Sequence, residues 1–450
     1  MKAPWKFALK NLRRNKQRTL ATATALLAGC VGLILASGYI VKTYELAMNQ
    51  AIYGTRTGHI SLFKPSGLEN QLVDLKASII SPDEINSIFE TTSTLPEVLF
   101  TAKIIKGVGL LSNGCQSSPF LAIGTESESE KKITPLLISS ELKSSAQLAG
   151  HPFWTYPDDL GAIEITEKLG ELIGKPRVQD FDIKGAFKNK GVINCDSPDA
   201  TEKIALDPTV QLIGSTLRGE FSAADAIVAG HFSTGVTLQE DMGMRAPLAL
   251  LQKLFETKGV TQIAIYLRAA DKTDEIISTL KHIFAFKKIN VETVSYQNTE
   301  LNPNYSATMG FIQLLTYFFL IIVVAVVVLS IINSVAMTIA ERKTEIGTMR
   351  AFGFVKTSLA SLLTYEIFFL SFFTMIAGDV LGLLLMRIIN YSQVTFRAPG
   401  MAGYQVLDFV PRLELILFIN LVIISVSVAA TYLTALRAMR KSIVGLLGGR

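Results

Sequence analysis

Four stretches of this 450-residue chain run almost without charge for the width of a lipid bilayer. Residues 19–41, 301–340 and 415–436 contain no Asp, Glu, Lys or Arg, and residues 357–386 contain only Glu366 and Asp379. A helix needs about 20 mainly apolar residues to cross the hydrocarbon core, so each stretch predicts a transmembrane helix. The expected spans are 19–41, 306–340, 357–386 and 415–436. Charged residues make up 18% of the chain, against about a quarter in soluble domains, which excludes a purely cytosolic globular protein.

Charge placement orients the spans. Residues 1–18 carry Lys2, Lys6, Lys10, Arg13, Arg14, Lys16 and Arg18 without an acid, and Arg437, Arg440, Lys441 and Arg450 mark the other end. The positive-inside rule therefore puts both termini in the cytoplasm. Residues 42–300 hold 25 basic and 32 acidic side chains, a net −7 that suits a translocated domain and excludes a nucleic-acid binder. The overall +5 averages two compartments.

The insert reads as mixed α and β. Gly58 to Phe63, Pro119 to Ile123, Ala226 to Ala229 and Thr261 to Leu267 are strand-like. Ser81-Pro82-Asp83-Glu84 and Asp271 to Glu275 announce helices, each between two extended runs. Two strand-helix-strand units at the ends of the insert are therefore expected to share one sheet. The expected fold is a membrane protein of four transmembrane α-helices with a large α+β extracytoplasmic domain between helices 1 and 2. That domain, 42–305, divides into a membrane-proximal α/β subdomain (58–106 plus 225–300) and a distal β-rich subdomain (107–224). A cytoplasmic segment 1–18, a loop helix 341–356, an outer loop 387–414 and a tail 437–450 complete the expectation.

Catalytic patterns are missing. Gly170 to Pro176 has three residues between its glycines and ends in proline, so it is a helix end and turn, not a phosphate loop. His59, His151, His231 and His282 show no metal-ligand spacing, and no catalytic residue, metal or cofactor is assigned to this chain. Cys115 and Cys195 are compatible with a disulfide or with two free thiols. Leu27-Ala28-Gly29-Cys30 resembles a lipoprotein cleavage site, but apolar residues continue to Val41, which favours an uncleaved helix.

The densest signal is the loop between the second and third spans, Glu341-Arg342-Lys343-Thr344-Glu345-Ile346-Gly347-Thr348-Met349-Arg350-Ala351-Phe352-Gly353. As a helix it places Ile346, Met349 and Phe352 on one face, and Gly353 is positioned to stop it. Periodicity alone fits a helix lying on the lipid surface as well as a docking element.

This motif resembles the coupling-helix signature of the MacB/FtsX-type ABC transporter permeases. Ala8 to Arg14 resembles their cytoplasmic start, and Gly58-His59-Ile60 the entry to their periplasmic core. Gly230 to Gly235 followed by Gln239-Glu240-Asp241 resembles a later strand and turn. With these last features, the length without a fused nucleotide-binding domain is most similar to the lipoprotein-releasing LolC/LolE permeases. Tyr432-Leu433-Thr434 departs from the Tyr-Pro-Ala that usually ends the family's fourth helix.

The resemblance implies a bacterial inner-membrane permease subunit, not itself an enzyme, that works by mechanotransmission. Its implied partners are a separate ABC ATPase dimer holding ATP and Mg, a second copy or related permease, and a lipoprotein substrate. Glu341, Arg342, Glu345, Ile346, Gly347, Arg350 and Gly353 carry over as the ATPase-coupling surface. Phe311, Leu314, Leu315, Phe318 and Phe319 are read either as lining a substrate cavity or as packing against helices or lipid. Glu366, about 14 Å along its span, is expected inside the membrane core, and Asp379, about 33 Å along, near the outer surface. Three other readings are an FtsX-like signalling permease, an exporter of another amphiphile or peptide, and a membrane receptor outside the ABC class.

Overall fold

A computed structural model describes residues 16–139, 148–175, 194–396 and 405–439. The basic segment 1–15 and the tail 440–450, to which the sequence assigned cytoplasmic roles, lie outside these. The chain forms two compact units: residues 45–308 with 396–405, and the remainder.

Among the described residues, four helices are long and apolar enough to cross a membrane. They are α1 (Lys16–Asn49), which passes into a π-helical turn at Gln50–Gly54, then α6 (Pro303–Glu341), α8 (Lys356–Ser392) and α9 (Leu413–Ala438). Each helix runs past its apolar stretch, because backbone hydrogen bonding continues beyond the residues that meet lipid. Their shared core draws Leu26, Cys30 and Ile34 from α1, and Val327, Ile331, Val335 and Ile339 from one stripe of α6. α8 and α9 add Leu363, Ile367, Met375, Ile416 and Ile423. Close approach of α8 to α1 requires small residues: a Cβ on Gly378 would meet Cys30 Sγ at 2.8 Å, and one on Gly382 would meet Ile34 at 3.0 Å. A strap after the third helix is pinned to α1 by Lys42–Asp408 (3.1 Å) and by the Val410 N–H donating to Gly38 O, and to α8 by Asn390, which bonds both backbone groups of Phe409.

The insert is built on one sheet. β1 (Ile60–Phe63), β2 (Val98–Ser112), β9 (Gln262–Leu267) and β10 (Glu292–Ser295) lie in the order β10-β1-β9-β2, all neighbours antiparallel. α2 (Pro82–Ser93) links β1 to β2, and α5 (Thr273–Lys287) links β9 to β10. This is a pair of interleaved split β-α-β units, the ferredoxin-like arrangement. The capping box at the start of α2 has Ser81 and Glu84 bonding reciprocally.

The rest of the insert is threaded between β2 and β9. β3 (Ser117–Thr125), β4 (Ala149–Gly150), β5 (Ala162–Thr166), β6 (Thr209–Ser215), β7 (Phe221–Phe232) and β8 (Gly243–Pro247) extend the same sheet. Pairing runs β2-β3-β8-β5-β7-β6 and returns from β6 to the far half of β2, which closes a six-stranded barrel. β2 serves both parts, since Val98 to Ile104 pair with β9 while Gly109 to Ser112 pair with β6. Gly109 permits the closure: a Cβ there would sit 2.3 Å from the Ile213 carbonyl oxygen. The barrel is filled by Leu111, Phe120, Ala122, Ile163, Ile165, Leu212, Ala226 and Met244, and α4 (Leu248–Leu254) adds Leu251 and Leu254 to the same apolar core. β7 and β8 thus belong to the barrel, so the junction between the two parts falls after α4 and not at residue 225. Cys115, at the β2–β3 turn, is bonded to Cys195.

Candidate functional site

The loop motif folds as α7 (Lys343–Ala351), a helix of nine residues between α6 and α8. It ends where sequence placed the stop: Gly353 has φ +91°, and the Phe354 N–H closes back on Met349 O. The apolar face is shorter than expected. Ile346 and Gly347 are buried and Met349 is half-buried, but Phe352 is 85% exposed because the helix ends one residue before it.

The carried-over residues separate by direction. Arg342 is the N-cap residue of α7, and its Nη1 lies 3.3 Å from Oε1 of Glu366 on α8. Arg350, in the last turn, donates from Nη1 to the carbonyl of Met439 (3.3 Å) at the C-cap of α9. Ile346 shares an apolar cluster with Leu359, Ala360 and Leu363 of α8. These groups fasten the helix to the bundle. Glu341, Thr344, Glu345, Thr348 and Gly353 face outward with Phe352 and Val355.

The other intramembrane acid, Asp379, accepts a hydrogen bond from Asn420 Nδ2 of α9 (2.8 Å), and Cys30 Sγ of α1 stands 3.9 Å from its other oxygen. Cys30, the residue of the lipoprotein-like motif, is fully buried within continuous helix. Phe311, Leu314, Phe318 and Phe319 are 50 to 67% exposed on α6 and Leu315 is half-buried, which puts them on the open side of that helix within one chain.

Sequence reasoning missed a buried charge network in the insert. Arg56, with φ +59° and 1% exposure, donates from Nε and Nη2 to the two carboxylate oxygens of Glu130 (3.0 and 2.8 Å) and from Nη1 to the Tyr53 and Gly54 carbonyls that end the π-helical turn. Glu130 sits on α3 (Ser127–Ser139) and also accepts from Thr125. Burial alone would raise the Glu130 carboxyl, but the charge and hydrogen bonds of Arg56, with the Arg245 charge and the Thr125 hydrogen bond, together outweigh this and hold it below its ordinary range. Glu164 and Arg245 face each other across β5 and β8. Burial pushes Glu164 up to about 7 and Arg245 down to about 9, and the Arg245 guanidinium lies 3.7 Å over the Phe232 ring.

The quoted family-like motifs have structural work here. Glu240 accepts from Ser233 Oγ, Thr234 N and Thr234 Oγ1, clasping the turn after β7. Gly58 has φ +66°, and His59 Nδ1 accepts the Leu267 N–H at 3.1 Å, joining β1 to β9. Burial lowers His59 to about 4, so it is neutral. Lys175, in the turn once compared with a phosphate loop, donates to the Ile204 and Asp207 carbonyls.

Residues 317–443 match the family model described as FtsX-like permease C-terminal. An uncharacterized ABC transporter permease of Methanocaldococcus jannaschii is 27% identical over 157 residues, which cover 34% of this chain and 38% of that one. Among solved structures, the extracellular domain of the noncanonic ABC-type transporter YknZ from Gram-positive bacteria is 13% identical with a TM-score of 0.29, over 52% of this chain and 99% of that one. The periplasmic region of MacB from Actinobacillus actinomycetemcomitans is 12% identical with a TM-score of 0.30, over 53% of this chain and 88% of that one. The matched stretch begins within α6, includes α7 and α8, and runs past the end of α9, so these elements are similar to an FtsX-like permease C-terminal domain.

Proposed function

We propose that this chain is the permease subunit of an ABC transporter, coupled through α7 to a separate ATPase subunit that binds ATP and Mg. The observation that carries this reading is α7 itself. It is a short helix fastened to α8 and α9 by side-chain bonds, within the segment that matches the FtsX-like model, with Glu345, Thr348 and Phe352 turned outward. A helix held this way moves as one body with the spans beside it, so force applied to its outer face reaches the bundle. Both termini and α7 lie in the cytoplasm in this reading, and the insert lies on the opposite side of the inner membrane. One ATPase dimer presents two docking clefts, so a second copy of this chain or a related permease completes the complex. Purification from native membranes in mild detergent, with identification of every bound protein, is expected to recover an ABC ATPase in near-stoichiometric amount. Recovery of the intact permease without any ATPase would reject the assignment.

For the substrate we propose lipoproteins released from the inner membrane, on the resemblance of Gly230 to Gly235 and Gln239-Glu240-Asp241 to the later strand and turn of the lipoprotein-releasing permeases. The exposed aromatic face of α6 supports an apolar cargo, since each acyl methylene buried is worth about 0.8 kcal/mol. Depletion of the protein is expected to leave triacylated lipoproteins in the inner membrane on fractionation. Normal sorting would reject this substrate and leave the permease reading standing.

A further inference from the structure

We infer that Arg342 and Glu366 form a tether that positions α7, and that Glu366 marks the inner boundary of the membrane and belongs to the coupling apparatus, outside any substrate path. This rests on the proposed role of α7.

Two observations carry it. The first is the pair itself. Arg342 follows α6 directly and occupies the N-cap position of α7, while Glu366 is one turn beyond Leu363 on α8, and both side chains are nearly buried at 13% and 10% exposure. An ion pair this enclosed fixes geometry, because separating it leaves two charges short of solvent. Together with the Arg350 bond to α9, it holds α7 at both ends.

The second is the distribution of residues along α8. Before Glu366 the helix reads Lys356-Thr357-Ser358-Leu359-Ala360-Ser361-Leu362-Leu363-Thr364-Tyr365, with five polar or charged residues in its first nine, and its Leu359, Ala360 and Leu363 belong to the same apolar cluster as Ile346 of α7. After Glu366, residues 367–386 contain only Asp379 as a charge and end at Arg387, which is exposed. Twenty residues at 1.5 Å each span about 30 Å, the thickness of the hydrocarbon core. The membrane-crossing part of α8 therefore runs from Glu366 to Arg387, and the preceding turns flank the coupling helix. Glu366, expected from sequence inside the core, moves to its edge. Asp379, expected near the outer surface, lies about 20 Å above that edge, within the core, which accounts for its enclosure by Asn420 and Cys30.

The test uses the full chain in lipid nanodiscs with a nitroxide on Thr348→Cys, an exposed position on α7. Glu366→Gln and Arg342→Gln are each expected to speed the motion of the label and to lower the ATPase recovered per permease by about fivefold, the change that about 1 kcal/mol produces. Arg342→Lys keeps a cation beside Glu366 and is expected to behave close to wild type, which separates loss of the pair from general loss of folding. Unchanged label mobility in both Gln variants would overturn the tether. A wild-type protein that binds no ATPase would instead reject the proposed function, with the mobility result still read independently. The boundary is tested by cysteines at Ser361 and Phe372. A charged maleimide is expected to label the first and not the second, and equal labelling would overturn the placement.

Discussion

His59 shows how a single buried group sets the pH response of the insert. Its Nδ1 accepts the Leu267 N–H, so the ring must stay neutral for β1 and β9 to remain joined at that point. The folded value is about 4 against an ordinary 6.5. Between those values the unfolded chain binds more protons than the folded one, so stability falls as pH drops through that window, by at most about 3 kcal/mol. Glu130 acts in the same direction at lower pH, since its depressed carboxyl must be protonated before the Arg56 pair is lost. Glu164 opposes both: raised to about 7, it favours the folded state in the range where His59 weakens it. The His59 and Glu164 shifts are equal in size and opposite in sign, so the thermal midpoint of the insert is expected to change little on acidification from pH 6.5 to 4.5, and His59→Gln, which keeps an acceptor without a titrating ring, is expected to turn that flat response into a rise as Glu164 acts unopposed. An unchanged slope in the variant would remove His59 from the account. The position of Gly58-His59 was legible in the sequence as the start of the domain. Its acceptor role was not, because the partner lies 208 residues away and register over that distance is set by tertiary pairing.

At the scale of the element, α7 divides into a buried side and an exposed side, and the two sides predict different phenotypes. Ile346→Asp puts a charge into the cluster with Leu359 and Leu363, where an uncompensated carboxylate costs several kcal/mol. It is expected to dislodge the helix and expose it to limited proteolysis. Glu345→Lys reverses an exposed charge and is expected to leave the proteolytic pattern unchanged while weakening ATPase recovery. Equal effects of both substitutions on proteolysis would dissolve the distinction between the sides. The sequence supplied the helix, its Gly353 stop and its apolar positions through local periodicity. It did not separate Arg342 and Arg350 from the outward residues, because all are polar and only their partners on α8 and α9 distinguish them. The inferred boundary at Glu366 differs from the sequence expectation for the same reason, since counting from the first uncharged residue treats helix length as membrane thickness.

For the whole molecule, the parts written in local code were readable: four apolar spans, and two helices with their start signals at Ser81 and Asp271. The barrel was not, because its closure depends on β6 pairing back to β2 about a hundred residues earlier, and weakly periodic short strands carry no mark of their partners. The Cys115–Cys195 bond belongs to that closed region and links it to compartment. A disulfide closing a loop of 80 residues is worth about 4.5 kcal/mol in the chain-entropy model, and such bonds persist where the surroundings are oxidising. Net negative charge over residues 42–300 and the basic N-terminal flank are independent sequence grounds for the proposed placement of the insert outside the cytoplasm. The two lines converge on one experiment. Protein trapped with a thiol reagent in intact cells is expected to migrate faster without reductant than with it. A cysteine at Ser197 is expected to react with an impermeant reagent from outside the inner membrane, and one at Thr344 only after permeabilisation. If the insert were cytoplasmic, both native thiols would be reduced and Thr344 would react first, and the orientation that puts α7 beside a cytoplasmic ATPase would be lost with it.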